Sequence, residues 1–188
     1  MKKIICIETD WYFYDRKVLD KSSAEPLLRF FYDYLKKEKF DYIYRKVATK
    51  EELQYLLSQL KYKAFDDFSI VYFSFHGDNG GIQLEGEKEL LTLEELADMA
   101  GSVLNGRCVH FSSCRTLYCK KDSLDYFLKK TAPAYLSGYT KSVDYLDSAL
   151  TDIVLLKQLI FRERLGLIKN IMETDYAAST KLGLTIYT

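Results

Sequence analysis

The chain of 188 residues has little of what marks secreted, fibrous or disordered proteins. It contains only two prolines, nine glycines and four cysteines, which excludes collagen-like sequences, low-complexity sequences and a dense disulfide framework. Positive and negative side chains balance at 27 each, so no basic excess points to nucleic acid. No apolar run reaches the roughly 18 residues of a membrane-spanning helix. We therefore expect a protein that binds neither nucleic acid nor membrane.

The first residues resemble an export signal only briefly. Two lysines precede the apolar residues 4–7, but Glu8 ends that run far short of the apolar core of a signal peptide. None of the four cysteines belongs to a Cys-x-x-Cys pair. We therefore expect a cytoplasmic protein with reduced thiols.

Hydrophobic residues make up 48% of the chain, and short apolar runs alternate with amphipathic segments along its whole length. This order predicts one α/β domain over residues 1–188, with a mostly parallel six-stranded sheet and helices on both faces. The predicted strands are residues 4–7, 42–48, 69–75, 107–113, 134–139 and 184–187. The third of these is apolar on both faces, which is typical of a central strand.

Capping-box patterns predict three helix starts, at Ser22 with Glu25, Thr49 with Glu52, and Thr92 with Glu95. Three later helices are predicted, a short one over residues 122–130, one carrying Leu150, Ile153, Val154 and Ile160 on its apolar face, and one over residues 168–181. Residues 82–84 and 89–91 flank Gly86 and predict a small hairpin before the third helix.

Only two histidines occur in the chain. His76 follows the predicted third strand and Cys114 follows the fourth. Ligands of open α/β sheets bind beyond the carboxyl ends of strands, and neighbouring strands lie about 4.8 Å apart. If these two strands are neighbours, an imidazole and a thiol meet at one edge, as a cysteine nucleophile and its base require. The N–H groups of Gly77 and Cys114 would then form an oxyanion hole.

Structural interpretations of the same residues stay open. A histidine at a strand end is commonly a hydrogen-bonded structural residue, and a buried cysteine commonly acts as a small apolar one. Cys108, His110, Cys114 and Cys119 also suggest a zinc site. Their spacing matches no common zinc module, however, and His110 lies in mid-strand, where a core histidine is the usual occupant. We therefore expect no metal and no cofactor.

Two short motifs resemble those of a known group of peptidases. Residues 71–78 read Val-Tyr-Phe-Ser-Phe-His-Gly-Asp, and residues 109–115 read Val-His-Phe-Ser-Ser-Cys-Arg. They resemble the catalytic motifs of caspase-like cysteine peptidases (clan CD), in which an apolar strand ends in His-Gly and the next parallel strand ends in Cys. The Ser-Ser-Cys sequence is most similar to the Ser-Ala-Cys of the bacterial CHAT branch. The predicted hairpin is also a feature of the caspase fold.

The resemblance implies a cysteine endopeptidase that cleaves protein or peptide substrates without a cofactor. Cys114 would be the nucleophile, His76 the general base and acid, and Gly77 an oxyanion donor. Bacterial members of this group are often effectors in antiviral defence that a partner switches on. Because no linker for activation by cleavage is visible, the resemblance implies an activating protein partner here.

The chain departs from the caspase pattern in places. Ser112 and Ser113 replace the Gln-Ala that precedes the caspase cysteine, and Thr116 replaces the glycine that follows Cys-Arg. Ser112 also takes the position at which metacaspases have aspartate. An alternative from another class is a catalytically inactive caspase-like binding or scaffold module. In that case the aromatic residues Trp11, Tyr12, Phe13 and Tyr14 would form its contact surface.

The substrate preference stays open between two charges. In caspases, basic groups line the pocket for the residue before the scissile bond, and one comes from the loop after the first strand. Here that loop contains Arg16 but also Asp10. Arg115, beside the nucleophile, favours an acidic substrate residue, and Asp144, after the fifth strand, favours a basic one. These four residues form the candidate substrate pocket.

Overall fold

The computed structural model describes residues 1–10 and 23–188. In these residues the strands are β1 (Ile4–Glu8), β2 (Tyr42–Lys46), β3 (Ile70–Ser74), β4 (His76–Asp78), β5 (Gly81–Gln83), β6 (Leu91–Thr92), β7 (Cys108–Phe111), β8 (Tyr135–Tyr139) and β9 (Leu184–Tyr187). The α-helices are α1 (Glu25–Leu35), α2 (Lys50–Gln59), α3 (Leu93–Ala100), α4 (Lys121–Thr131), α5 (Tyr145–Phe161), α6 (Leu165–Thr174) and α7 (Ala178–Lys181).

The main sheet has six strands in the order β2-β1-β3-β7-β8-β9. All neighbours are parallel except β9, which runs antiparallel to β8. The predicted α/β class and the mostly parallel six-stranded sheet are therefore confirmed. Strand β3 lies between β1 and β7, and all five of its residues are buried, as its continuous apolar run predicts for a central strand.

Helices cover both faces of this sheet, as alternating strands and amphipathic helices require. Helices α2, α3 and α4 pack on the face that contains Val71, Phe73 and Phe111. Helices α1, α5 and α6 pack on the opposite face, which contains Tyr72 and Cys108. No helix within residues 1–10 and 23–188 has the length and apolar character needed to cross a bilayer.

Two of the three predicted helix caps are confirmed, and one is wrong. Thr49 and Thr92 form complete capping boxes at the starts of α2 and α3. The N-cap of α1 is Ala24, whereas the predicted cap Ser22 lies outside the described residues. Two groups cap α1 instead, because the buried Glu8 Oε1 accepts the N–H of Ala24 at 2.8 Å and Ser23 Oγ accepts the N–H of Glu25 at 3.2 Å.

The segment before α3 is more extended than the predicted hairpin. Strands β5 and β6 form the predicted hairpin, with Ile82 opposite Leu91, and β4 adds a third antiparallel strand. Strands β4 and β5 are joined by Asn79 and Gly80, whose φ angles of +44° and +80° are those of a type I′ turn. Asn-Gly is the strongest short hairpin signal in a sequence. His76 is therefore the first residue of the hairpin strand β4.

Two predictions for the last helices are wrong. The predicted helix over residues 168–181 is divided into α6 and α7, although no proline or glycine separates them. Leu150 of α5 is 58% exposed, whereas Asp152 is fully buried. Ile153, Val154 and Ile160 contact the core as predicted, so only Leu150 is wrong, and the apolar pattern does not reveal the buried Asp152.

Candidate active site

The two motifs meet at the carboxyl edge of the main sheet. Strands β3 and β7 are parallel neighbours, with Phe73 opposite Phe111. The N–H of Ser112 continues the pairing by donating to the Phe73 carbonyl at 2.8 Å. Cys114 lies three residues beyond the end of β7, not directly at the end of a strand reaching residue 113. A short turn therefore carries the thiol.

Hydrogen bonds join the hairpin that begins at His76 to the segment around Cys114. The Phe75 N–H donates to Ser113 Oγ at 3.3 Å, and the Gly80 N–H donates to the Arg115 carbonyl at 3.2 Å. Thr116 Oγ1 donates to the Gly81 carbonyl at 3.5 Å. These contacts on both sides of Cys114 fix the two motifs against each other.

Gly77 forms the closest contact between the motifs. A Cβ atom built on Gly77 would lie 2.5 Å from the Cys114 carbonyl oxygen and 2.4 Å from Thr116 Oγ1. In a two-residue hairpin the pair beside the turn, Asp78 and Gly81, is hydrogen-bonded, so Gly77 and Ile82 form the next, non-hydrogen-bonded pair. The Gly77 N–H therefore points away from β5.

The Cys114 sulfur is partly buried and lies against backbone. It accepts a hydrogen bond from the Val143 N–H at 3.3 Å and donates one to the Val143 carbonyl at 3.4 Å. Val143 lies between β8 and α5. The His76 side chain is exposed at the same edge of the sheet. In this conformation the thiol is thus hydrogen-bonded to the Val143 backbone.

The other three cysteines lie in less reactive surroundings. Cys6 and Cys108 are buried strand residues, and burial raises the pKa of both thiols. Burial also raises the pKa of Cys119, with a further contribution from the Glu94 carboxylate. All four cysteines are free thiols. Because thiolates are the nucleophiles, a raised pKa makes these three poor candidates at neutral pH.

Arg115 holds the hairpin rather than facing an open pocket. Its Nε lies 3.1 Å from Asp78 Oδ1, its Nη2 donates to Asn79 Oδ1 at 2.8 Å, and its guanidinium covers the Tyr118 ring at 4.8 Å. Its φ of +52° is a left-handed conformation that costs a non-glycine residue roughly 1 kcal/mol. These contacts offset that strain and compensate the positive charge.

Of the other candidate pocket residues, Asp144 and Asp10 have partners within the fold, and Arg16 lies outside the described residues. Asp144 is the N-cap of α5, and its Oδ1 accepts the N–H groups of Leu146 and Asp147 at 2.9 and 3.4 Å. Asp10 pairs with Lys46. Arg16 and the aromatic residues 11–14 lie outside the described residues. Helix capping thus explains the aspartate at 144 without any substrate.

His110 is the satisfied core histidine that its mid-strand position predicts. Its Nδ1 lies 2.8 Å from Ser137 Oγ and its Nε2 lies 2.9 Å from Asp152 Oδ1. Both ring nitrogens are therefore engaged, and the zinc interpretation with Cys108, Cys114 and Cys119 is wrong for this histidine. In the described part of the chain, no group of three or more metal-binding side chains comes together.

Ser137, His110 and Asp152 have the order of a serine-protease triad, but all three are fully buried. No substrate reaches a serine enclosed in this way, so the arrangement is a core network. No motif or spacing in the sequence indicates the role of Asp152. The available clue was His110 itself, because a buried imidazole needs hydrogen-bonding partners from the helix packed above it.

Two described clefts lie away from this edge. One, of about 310 Å³, lies beside α5 and is lined by residues that include Leu150, Met172 and Tyr176. The other, of about 420 Å³, includes Pro133, Lys169 and Tyr187. Neither contains His76 or Cys114, so the candidate site rests on the contacts between the two motifs rather than on these clefts.

Fold and site together define an α/β protein with histidine, glycine and cysteine brought together at the carboxyl edge of a mostly parallel sheet. The chain belongs to DUF6642, a family of unknown function, whose family model matches residues 1–188. No curated protein matches the chain.

Proposed function

We propose that this protein is a caspase-like cysteine endopeptidase in which Cys114 is the nucleophile and His76 is the general base and acid. The observation that carries the proposal is the contact between Gly77 and Cys114, where a Cβ on the glycine would come within 2.5 Å of the cysteine carbonyl oxygen. Gly77 directly follows His76, so this contact brings the imidazole-bearing residue to the edge that carries the thiol.

Acylation is the first half of the proposed reaction. His76 takes the thiol proton, and the Cys114 sulfur attacks the carbonyl carbon of the scissile peptide bond. The carbonyl electrons move onto oxygen, which accepts hydrogen bonds from the N–H groups of Gly77 and Cys114. When the C–N bond breaks, the leaving amine takes the proton from the His76 imidazolium, and a thioester remains on Cys114.

Deacylation restores the enzyme. His76 accepts a proton from water, and the resulting hydroxide adds to the thioester carbonyl. The C–S bond then breaks, and the sulfur leaves as a thiolate that His76 can reprotonate. The second product leaves as a carboxylic acid. The cycle consumes one water and needs no metal or redox partner.

The position of the sulfur supports an activation step. The Val143 N–H stabilises negative charge on sulfur, but the Val143 carbonyl holds the proton of the neutral thiol. We therefore propose that a protein partner, bound together with substrate, releases the Cys114 thiol from the Val143 carbonyl so that His76 can take its proton. A role in antiviral defence fits such a switch and belongs to the same proposal.

Turnover of a mixed peptide library tests this function. The wild-type chain is assayed alone and with proteins co-purified from its native host. Cys114→Ala serves as the nucleophile-free variant, and Cys119→Ala serves as the matched control in a neighbouring loop. We expect weak cleavage by the chain alone, stronger cleavage with a partner, and loss of both in Cys114→Ala only.

Two outcomes would overturn the proposal. Cleavage retained by a folded Cys114→Ala variant would remove the cysteine mechanism. Absence of cleavage under every condition, together with an unreactive Cys114, would favour the inactive binding module, for which the bonding of the sulfur to Val143 is the supporting observation.

A further inference from the structure

A buried carboxylate lies beneath the Cys114 segment and accepts hydrogen bonds from four side chains. Asp152 Oδ1 accepts from Tyr139 at 2.6 Å and from His110 Nε2 at 2.9 Å. Asp152 Oδ2 accepts from the Tyr72 hydroxyl at 2.7 Å and from the Ser112 hydroxyl. These donors belong to β3, β7, β8 and the turn that carries the thiol.

The hydrogen bonds around Asp152 keep its carboxyl group ionised. Burial acts to raise the pKa of this carboxyl, but the His110 imidazole and the hydrogen bonds outweigh it, so the pKa is lowered. A buried carboxylate with all its donors in place is rigid, because loss of any donor leaves charge without compensation. The position of the Asp152 carboxylate is therefore fixed by its four hydrogen bonds.

Asp152 connects the two chain segments that meet at the Cys114 sulfur. Ser112 lies two residues before Cys114, and its hydroxyl donates to Asp152. Asp152 belongs to α5, which begins at Tyr145, two residues after Val143. Val143 is the residue whose backbone brackets the Cys114 sulfur. One carboxylate thus ties the segment carrying the thiol to the helix that follows its backbone partner.

We propose that Asp152 is a positioning residue for the Cys114 thiol and that it acts through the Ser112 hydroxyl. Its effect on catalysis rests on the proposed peptidase function, but its effect on the position of the sulfur does not. A network that served only the core would change the stability of the domain and leave the reactivity of Cys114 unaltered.

Ser112→Ala isolates the link between the network and the thiol. This variant removes one hydroxyl at a partly exposed turn and leaves His110, Tyr72 and Tyr139 in place. Ser179→Ala is the control, since the Ser179 hydroxyl is also hydrogen-bonded but is buried and donates to the Met172 carbonyl away from the network. Ser112→Thr keeps a hydroxyl at the same position and serves as the rescue variant.

The primary readout is the rate at which iodoacetamide alkylates Cys114, followed by peptide mapping, with thermal unfolding measured in parallel. Loss of the Ser112–Asp152 hydrogen bond should loosen the contact between the Cys114 sulfur and Val143. Cys114 should therefore be alkylated about 2- to 12-fold faster in Ser112→Ala, the range expected for one hydrogen bond. Ser112→Thr and Ser179→Ala should match the wild-type rate. Asp152→Asn should show a larger increase if it folds.

Equal alkylation rates in wild type, Ser112→Ala and Ser179→Ala would overturn the positioning role, even if Asp152→Asn is unstable. Peptide turnover, measured separately, tests the proposed peptidase function independently of the positioning role. Faster alkylation of Ser112→Ala supports positioning even when no peptide is cleaved. Unchanged alkylation of Ser112→Ala overturns positioning even when the wild type is an active peptidase.

Discussion

Gly77 approaches Cys114 so closely that only a hydrogen atom fits between them. A Cβ on Gly77 would lie 2.5 Å from the Cys114 carbonyl oxygen and 2.9 Å from Ser113 Cβ, distances that real Cβ atoms do not occupy. Two of the three contacted groups are backbone or the start of a side chain, which cannot move aside. The identity of residue 77 therefore sets the separation between the two motifs.

We predict that Gly77→Ala separates the motifs and removes peptide cleavage. Overpacking of this kind costs about 1–3 kcal/mol, so thermal unfolding should show a folded but less stable protein. Gly166→Ala is the control, because nothing lies within 4 Å of a Cβ at that position of α6, and it should stabilise the helix by about 0.5–1 kcal/mol. Full cleavage by Gly77→Ala would show that the close contact has no catalytic role.

Substitutions at Arg115 can distinguish a structural role in the hairpin from a role in substrate binding. If it clamps the hairpin through Asp78, Arg115→Gln and Asp78→Asn should lower the rate of cleavage to a similar extent, for every peptide in a library. If it binds an acidic substrate residue, only Arg115→Gln should change the sequence preference. We predict the first result, because the guanidinium already has partners. A changed preference in Arg115→Gln alone would contradict it.

Much of the fold followed from local patterns. Complete capping boxes located α2 and α3, and the continuous apolar run of β3 located the central strand, because these signals arise from residues close in sequence. The meeting of His76 and Cys114 at one edge also followed, once parallel neighbours were assumed. The type I′ turn at Asn79-Gly80 also has a local signal, because Asn-Gly is typical of two-residue hairpins.

The features that the sequence does not predict depend on contacts between residues that are far apart in the sequence. Glu8 caps α1 from a different element of the fold, so no pattern around Ser22 reveals it. Asp152 is polar, yet it lies on the inner face of α5 because donors from three strands meet it there. Val143 binds the Cys114 sulfur through backbone atoms, which any residue type provides. Each of these requires knowledge of which elements pack together.

Arg107 anchors the opposite, amino-terminal edge of the sheet, and we predict that its loss lowers stability without affecting Cys114. Burial lowers the pKa of its guanidinium, which is held by the carbonyl oxygens of Leu60, Phe65, Phe68 and Val103. Buried acceptors left without donors cost about 1–3 kcal/mol. Urea unfolding of Arg107→Met should show a loss of about this size.

Arg107→Lys should fall between Arg107→Met and wild type, because an ammonium reaches fewer of these carbonyls than a guanidinium does. Iodoacetamide labelling of Cys114 should be the same in all three proteins. A change in Cys114 labelling would show that the two edges of the sheet are coupled.

We predict that alkaline pH destabilises the protein through its buried tyrosines. Burial and the neighbouring Asp152 carboxylate raise the pKa of Tyr72 and Tyr139 well above the ordinary value of about 10. The stabilisation is therefore complete below pH about 10 and is lost as the pH rises further, because the tyrosines of the unfolded chain ionise first.

Tyr139→Phe should accordingly lose less stability than wild type between pH about 9 and about 11, by up to roughly 1.4 kcal/mol per pH unit. Tyr34→Phe is the control, since the Tyr34 ring is 79% exposed. The free energy of unfolding, measured in urea at each pH, gives the comparison. Parallel pH curves for wild type and Tyr139→Phe would contradict this assignment.

The central claim is that Cys114 attacks a peptide carbonyl with the help of His76. A library of peptidyl chloromethyl ketones tests it most directly, because these reagents present a carbonyl to the nucleophile before they trap it. Adducts are located by peptide mapping in wild type, His76→Gln and Cys119→Ala, with and without a partner that stimulates cleavage.

The account predicts an adduct at Cys114 in wild type and in Cys119→Ala, and a strongly reduced adduct in His76→Gln. Cys6 and Cys108 should stay unmodified because burial raises the pKa of their thiols. Modification of Cys119 in preference to Cys114, or equal trapping at Cys114 in wild type and His76→Gln, would contradict the account.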